Sequence, residues 1–320
     1  MDKDVIVIAL GGNAILTEDP SAQGQQKTLA KSVKYLVDLI QQGYRLVITH
    51  GNGPQIGNLL LQHIASDSKT NPAFPLDSLV AMTEGCIGYW IQNLLQNEIH
   101  QHNLNTNVVS LITQVVVDEK DSAFKNPTKP IGPFIMEKQA KEKMKNSTDI
   151  YKEDAGRGWR KVVSSPKAIR IKEIYSIKAL LNQDQVVIAV GGGGIPVVED
   201  KQSNFYGVEA VIDKDQASEK LAEQLKAKKF IILTEVDYVY LNFNQPNQRK
   251  LEQITTEQAK QFIDEGQFAA GSMLPKIEAA IEFVENNPEG EAAITSLENL
   301  GKLLNKQAGT IIKKNKNFIS

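Results

Sequence analysis

Residues Val5-Ile6-Val7-Ile8-Ala9-Leu10 form an unbroken apolar run, rich in β-branched side chains and without a single polar residue. A strand with one solvated face alternates apolar and polar residues. A run without alternation needs both faces covered, as in a parallel sheet between two layers of helices. The run breaks at Gly11-Gly12-Asn13, and helical spacing follows from about residue 25 to residue 42, where Leu29, Val33, Leu36, Val37 and Ile40 share one face. Gly43 stops that helix. The pattern then repeats: Arg45 to Thr49 is a second buried strand, His50-Gly51-Asn52-Gly53 is a turn, and Pro54 suits a first helical turn. Two strand–turn–helix units in succession predict an α/β fold on a mainly parallel sheet.

Further along, the pattern predicts a helix over 79–99 and a strand over 108–117. Residues 118–166 differ. Lysines cluster there, and Pro127, Pro130 and Pro133 interrupt the start, yet Phe124, Phe134, Tyr151 and Trp159 are too many aromatics for a disordered linker. The stretch reads as a long insertion or small lid. The α/β rhythm resumes with a strand over 186–190, a helix over 217–225 and a strand over 230–233. Helices over 256–265 and 277–284 and a strand over 292–296 complete it. At 320 residues the chain reads as one large domain, with a soft boundary near residue 180 dividing halves 1–180 and 181–320.

Composition removes several function classes. The net charge is −2 with Lys and Arg spread along the chain, which argues against a nucleic-acid footprint. No stretch approaches the ~20 apolar residues of a membrane span, and the run at 5–10 is too short for a signal peptide and has acids before it. The expectation is a soluble, cytoplasmic protein with no membrane partner. Cys86 is the sole cysteine, so an intrachain disulfide is excluded, and it reads as a small half-buried apolar residue. The histidines at 50, 63, 100 and 102 show no metal-ligand spacing. Any metal is therefore expected as Mg²⁺ carried by phosphates, which needs only one or two protein ligands.

The chemistry points to Lys214. It stands between Asp213 and Asp215, after the apolar Ala210-Val211-Ile212, and an ammonium fixed by a carboxylate presents charge at one place, as transfer of an anionic group requires. Upstream lies Gly191-Gly192-Gly193-Gly194, the longest glycine run. With Gly11-Gly12-Asn13 and Gly51-Asn52-Gly53 it makes three glycine turns after apolar strands, where bare backbone N–H groups can approach phosphate or carboxylate oxygens. Lys276, after Gly271-Ser272-Met273-Leu274-Pro275, and Lys129, between Thr128 and Pro130, are further candidate charges. No P-loop, dinucleotide fingerprint, protein-kinase signature or Gly-x-Ser-x-Gly elbow is present. From the residues alone the reading is an α/β enzyme acting on a phosphorylated or carboxylated small molecule.

Taken together, Ala9 to Ala14, His50 to Asn58, Asn126 to Pro133, Glu153 to Lys161, Gly191 to Pro196, Val208 to Asp215 and Gly271 to Ala280 resemble the carbamate kinases of the amino-acid kinase superfamily in order and spacing. The resemblance implies an open three-layer αβα sandwich with a small protruding lid, and a homodimer. It implies reversible phosphoryl transfer between ATP and carbamate, giving ADP and carbamoyl phosphate, usually run toward ATP in fermentative catabolism such as arginine breakdown. By the same resemblance Gly11, Gly12, Asn13, Gly51, Asn52 and Gly53 hold carbamate and the transferred phosphoryl, and Lys129, Lys214 and Lys276 neutralise its oxygens. Asp215 orients the lysines, and Mg²⁺ bridges the nucleotide phosphates. The C-terminal half holds the nucleotide, with Gly193, Gly194, Tyr238 and Met273 assigned to it. Two alternatives stay open: a related kinase acting on an amino-acid carboxylate, and a nucleotide-binding regulator without turnover. Against the first, no lysine lies between Lys3 and Lys27, where such relatives carry one in the first glycine turn.

Overall fold

The structure is a computed structural model that describes residues 3–15, 19–154, 156–305 and 307–314. Strand β1 (Val5–Leu10) has parallel neighbours on both sides: β2 (Arg45–His50) and the later strand Lys229–Thr234. Ile6, Ile8 and Leu10 enter one buried cluster, and Val7 and Ala9 enter the other. Burial on both faces is why the run carries no polar alternation. Helix α1 (Ala22–Gln41) starts three residues earlier than its apolar spacing indicated, because Ser21 caps it by accepting the Gly24 N–H at 3.0 Å. Leu29, Val33, Leu36 and Val37 are buried, and Gly43, at φ 87°, turns the chain into β2.

Helices α2 (Gly53–Ser66) and α3 (Leu76–Gln101) follow β2. The stretch 108–117, expected as one strand, is two: β3 (Val108–Ser110) and β4 (Gln114–Val116), which join different sheets. The break lies at Thr113, whose N–H is taken by Glu84 of α3. Strand β5 (Lys129–Ile135), helix α4 (Glu137–Asn146), β6 (Ile150–Glu153) and β7 (Trp159–Val163) build a separate three-stranded sheet, order β5-β7-β6, within the 118–166 insertion. Then come β8 (Arg170–Ile171), α5 (Ile174–Asn182) and β9 (Val186–Ile188). Strand β9 ends two residues before the expected limit because Val190 adopts φ 55°.

The remainder comprises β10 (Ile195–Glu199), β11 (Phe205–Gly207), α6 (Lys214–Leu225), β12 (Lys229–Thr234), β13 (Val239–Leu241) and β14 (Arg249–Leu251). It closes with β15 (Gln253–Thr255), α7 (Thr256–Asp264), α8 (Met273–Asn286), β16 (Glu291–Ser296), α9 (Leu300–Leu304) and β17 (Thr310–Lys313).

The main sheet has eight strands in the order β15-β17-β16-β12-β1-β2-β9-β3, parallel except for the β16–β17 pair. One face is covered by α6 and α8 through Leu221, Ile277 and Phe283; the other is covered by α1 and α3 through Val33, Leu36, Ile87 and Ile91. The result is the three-layer αβα arrangement. A second sheet, β11-β10-β4-β8, lies beside it, and the main sheet crosses residue 180 unbroken, since β9 pairs with β2 and β3. Among the described residues no helix is long and apolar enough to cross a membrane. Cys86, expected to be half-buried, is exposed on α3.

Candidate active site

Because β1, β2, β9 and β12 are parallel, their carboxyl ends lie on one edge of the sheet, the edge where open α/β sheets bind ligands. The three glycine turns leave from that edge. A cavity of about 330 Å³ there is lined by Gly12, by residues 51–55, by Lys129 and Gly192, by residues 213–215 and by Lys276. The N-termini of α2, α6 and α8 all reach it. Each helix start offers partial positive charge and backbone N–H groups to an anion.

The charged groups form a chain of pairs. Asp215 Oδ2 accepts from Lys276 Nζ at 2.8 Å, while its Oδ1 lies 3.1 Å from Lys214 Nζ. Lys214 also donates to the Leu10 carbonyl at 3.0 Å, which ties it to the end of β1. Asp213 caps α6, accepting the Asp215 and Gln216 N–H groups on Oδ1, and its Oδ2 takes Lys129 Nζ at 2.6 Å. Burial pushes the Asp215 carboxyl up, but Lys214 and Lys276 more than reverse this and hold it below the usual carboxylate range. Burial lowers Lys214 from the ordinary lysine value, an effect Asp215 opposes. Three cations against two carboxylates leave a surplus positive charge facing the cavity.

Behind the turns lie two buried titratable groups. Burial pushes His50 down to about 4, so its ring is neutral; Nδ1–H donates to the Gly51 carbonyl at 3.0 Å. Burial pushes Glu84 up to about 8, against the N–H groups of Thr113 and Gly191 that its oxygens accept.

A larger cavity, about 890 Å³, adjoins the small one and shares Gly12, Gly271, Ser272 and Lys276 with it. Its wall includes Gly11, Met273, Tyr240 and Phe243, the last two with ring centroids 6.0 Å apart.

The sequence-assigned residues divide between these places. Gly12, Gly51, Asn52, Gly53, Lys129, Lys214, Asp215 and Lys276 line the small cavity, and Gly11 and Met273 line the large one. Asn13 belongs to the 3-10 turn Gly12–Ala14, and its side chain lies outside what the structure describes. Gly193 and Gly194, assigned to the nucleotide, line neither cavity: a Cβ on Gly193 would overlap the Ile212 carbonyl, and one on Gly194 would overlap Val115. Their glycine identity answers to tight packing. Tyr238 also lines neither cavity; its ring lies under the Lys250 ammonium at 4.9 Å. Sequence reasoning named Asp213 beside Lys214 but gave it no role of its own, although a helix N-cap Asp is a recognisable signal. It missed Tyr240 and Phe243, which no local pattern distinguishes from core aromatics.

Glycine turns, helix N-termini and lysines clamped on one carboxylate, gathered at the strand ends of an αβα sheet, define an anion-binding enzyme fold. The chain belongs to the amino acid kinase family, whose model matches residues 4–291. It is 55% identical over 310 residues to carbamate kinase 1 of Enterococcus faecium, covering 97% of this chain and 99% of that protein. It is 53% identical to the carbamate kinase of Oenococcus oeni, covering 97% and 98%. Among solved structures, carbamate kinase from Giardia lamblia bound to AMP-PNP superposes with a TM-score of 0.90 at 41% identity, covering 98% of this chain and 99% of that one.

Proposed function

We propose that this site catalyses reversible phosphoryl transfer between ATP and carbamate, as a carbamate kinase. The observation that carries this reading is Lys276, which lines both cavities and shares Asp215 with Lys214. The small cavity suits carbamate or carbamoyl phosphate, and the large one suits the nucleotide, with Tyr240, Phe243 and Met273 beside the base. The group in transfer passes where the two cavities meet.

In the ATP-forming direction a β-phosphate oxygen of ADP attacks the phosphorus of carbamoyl phosphate, and the bond to the carbamate oxygen breaks. Charge spreads over the equatorial oxygens during this exchange. Lys214 and Lys276 neutralise it from fixed positions, which Asp215 sets, while Lys129 approaches from the three-stranded sheet. Backbone amides of the turns after β1 and β2 hold the carbamoyl end. No covalent enzyme intermediate is required. Mg²⁺ would be carried by the nucleotide phosphates and would offset their charge. The carboxylates lining the small cavity, Asp213 and Asp215, are already engaged by lysines, which suits a metal brought by the substrate. Family likeness extends the proposal to a cytoplasmic homodimer serving arginine breakdown, and light scattering of the purified chain tests the dimer.

The deciding experiment is ATP formation from ADP, Mg²⁺ and carbamoyl phosphate, with acetyl phosphate as the control donor. ATP formed with strong preference for carbamoyl phosphate supports the proposal. ADP binding without ATP formation would replace it with a regulator, and equal use of acetyl phosphate would replace it with a less selective kinase.

A further inference from the structure

Thr83 and Glu84 sit side by side on α3, a helix that contributes no lining residue to either cavity. Both are buried. Glu84 accepts the Gly191 N–H on Oε1 at 2.9 Å and the Thr113 N–H on Oε2 at 3.1 Å. The Thr113 hydroxyl in turn accepts the Val190 N–H at 3.1 Å. The start of the glycine turn after β9 is thereby hydrogen-bonded at two successive amides.

That turn needs holding. Val190 is β-branched and sits at φ 55°, and Gly192, Gly193 and Gly194 follow at 66°, 96° and 78°. A β-branched residue in the left-handed region persists only where its surroundings over-determine it, and such strain gathers at functional sites.

Thr83 does the corresponding work for the turn after β2. Its hydroxyl accepts from Asn52 Nδ2 at 2.9 Å and donates to the Val80 carbonyl at 2.8 Å. Asn52 is the N-cap residue of α2, yet its side chain makes no cap hydrogen bond. An N-cap Asn ordinarily satisfies a first-turn amide of its own helix. Drawn back to Thr83, Asn52 leaves the first turn of α2 open to the small cavity. The two turns also meet directly: a Cβ on Gly192 would overlap Asn52 Nδ2.

We propose that Thr83 and Glu84 are positioning residues that preset the two glycine turns reaching the small cavity, 51–53 and 191–193, from the helix behind them. Their effect on catalysis rests on the reading that the small cavity takes carbamoyl phosphate. Thr83→Val keeps the side-chain shape and removes the hydroxyl, whereas Thr83→Ser keeps the hydroxyl. Glu84→Gln keeps the length but sets an NH₂ against one of two N–H donors, so one hydrogen bond is lost.

The test joins amide hydrogen exchange over residues 50–54 and 189–195 with steady-state kinetics on ADP and carbamoyl phosphate. Thr83→Val is expected to speed exchange in 50–54, and Glu84→Gln in 189–195, with β12 and α8 protected as before. KM for carbamoyl phosphate should rise about tenfold or more, as misplaced binding groups imply, with KM for ADP unchanged, and Thr83→Ser should restore both readouts. Unaltered exchange in both segments would overturn the proposal. So would faster exchange spread over the whole chain with KM unmoved, which is the signature of a merely structural role. If the parent chain forms no ATP, the functional reading falls, while exchange in the two segments still decides the positioning role.

Discussion

Lys214 donates to the Leu10 carbonyl and pairs with Asp215, so its ammonium is confined to one position at the end of β1. Lys214→Ala is expected to lower kcat by about a hundredfold or more, the usual loss when a preorganised charge-stabilising donor is removed. KM should change far less, and an unaffected kcat in steady-state assays would remove Lys214 from the chemistry. Glu219, elsewhere on α6, concerns stability. Burial pushes it up to about 8, with Glu282 and Glu223 adding to the effect against Lys220. The folded form therefore keeps a proton that the unfolded chain, near the ordinary 4.5, gives up. Stability present below that value is lost as pH rises through about 8. Glu219→Gln should remove Glu219's share of this slope, leaving that of Glu84, so its urea midpoint gains on the parent's between mildly acidic and mildly alkaline pH. Parallel pH curves for the two proteins would contradict the assignment. His50 acts in the opposite sense: pushed down to about 4 from 6.5, it withdraws stability as pH falls through that window.

Helix α2 and strand β5 cross at two glycines. A Cβ on Gly57 would overlap the backbone of Gly132, and Gly132 itself sits at φ 73°. Strand β5 thus lies directly on α2, and the same strand carries Lys129 to Asp213. Gly57→Ala must lift the three-stranded sheet from the helix and draw Lys129 back from the small cavity. The expected outcome is a kcat/KM for carbamoyl phosphate reduced about tenfold or more, by the sensitivity of catalysis to misplaced groups, with KM for ADP unchanged. Unchanged kinetics would show that the position of Lys129 does not depend on this crossing. The 118–166 insertion was legible as folded from its aromatics, but its sheet was not, because β5 carries three consecutive-turn signals in Pro130, Gly132 and Pro133 that local rules assign to a loop.

At the scale of the whole molecule, the β1–β12 pairing joins the first and last thirds of the chain and sets the two cavities side by side. Gly11 illustrates how close this fit is: a Cβ there would press on the Leu233 carbonyl at the end of β12, at 2.5 Å. The large cavity's aromatic wall gives a test of which substrate occupies it. Tyr240→Ala should raise KM for ADP about tenfold, consistent with a base-stacking contribution of roughly 1–3 kcal/mol, and leave KM for carbamoyl phosphate alone. The reverse pattern would mean that the two cavities have been assigned to the wrong substrates.

Local sequence determined the elements and most of the charges. Two-sided burial writes itself as an unalternating β-branched run, which is why β1, β2 and β12 could be read directly. Glycine at a strand end marks a turn for steric reasons, and Asp213-Lys214-Asp215 displays its charge within three residues. Tertiary structure alone decided which of these meet. Gly193 and Gly194, read from the sequence as ligand-binding, line neither cavity, and their positive φ and the approach of Ile212 and Val115 already call for glycine. Strand 108–117 breaks because a carboxyl on α3 takes the Thr113 N–H, and Asn52 leaves its own helix uncapped because Thr83 stands opposite. Contacts of this kind depend on distances between segments far apart in the chain, and no local periodicity or propensity encodes them.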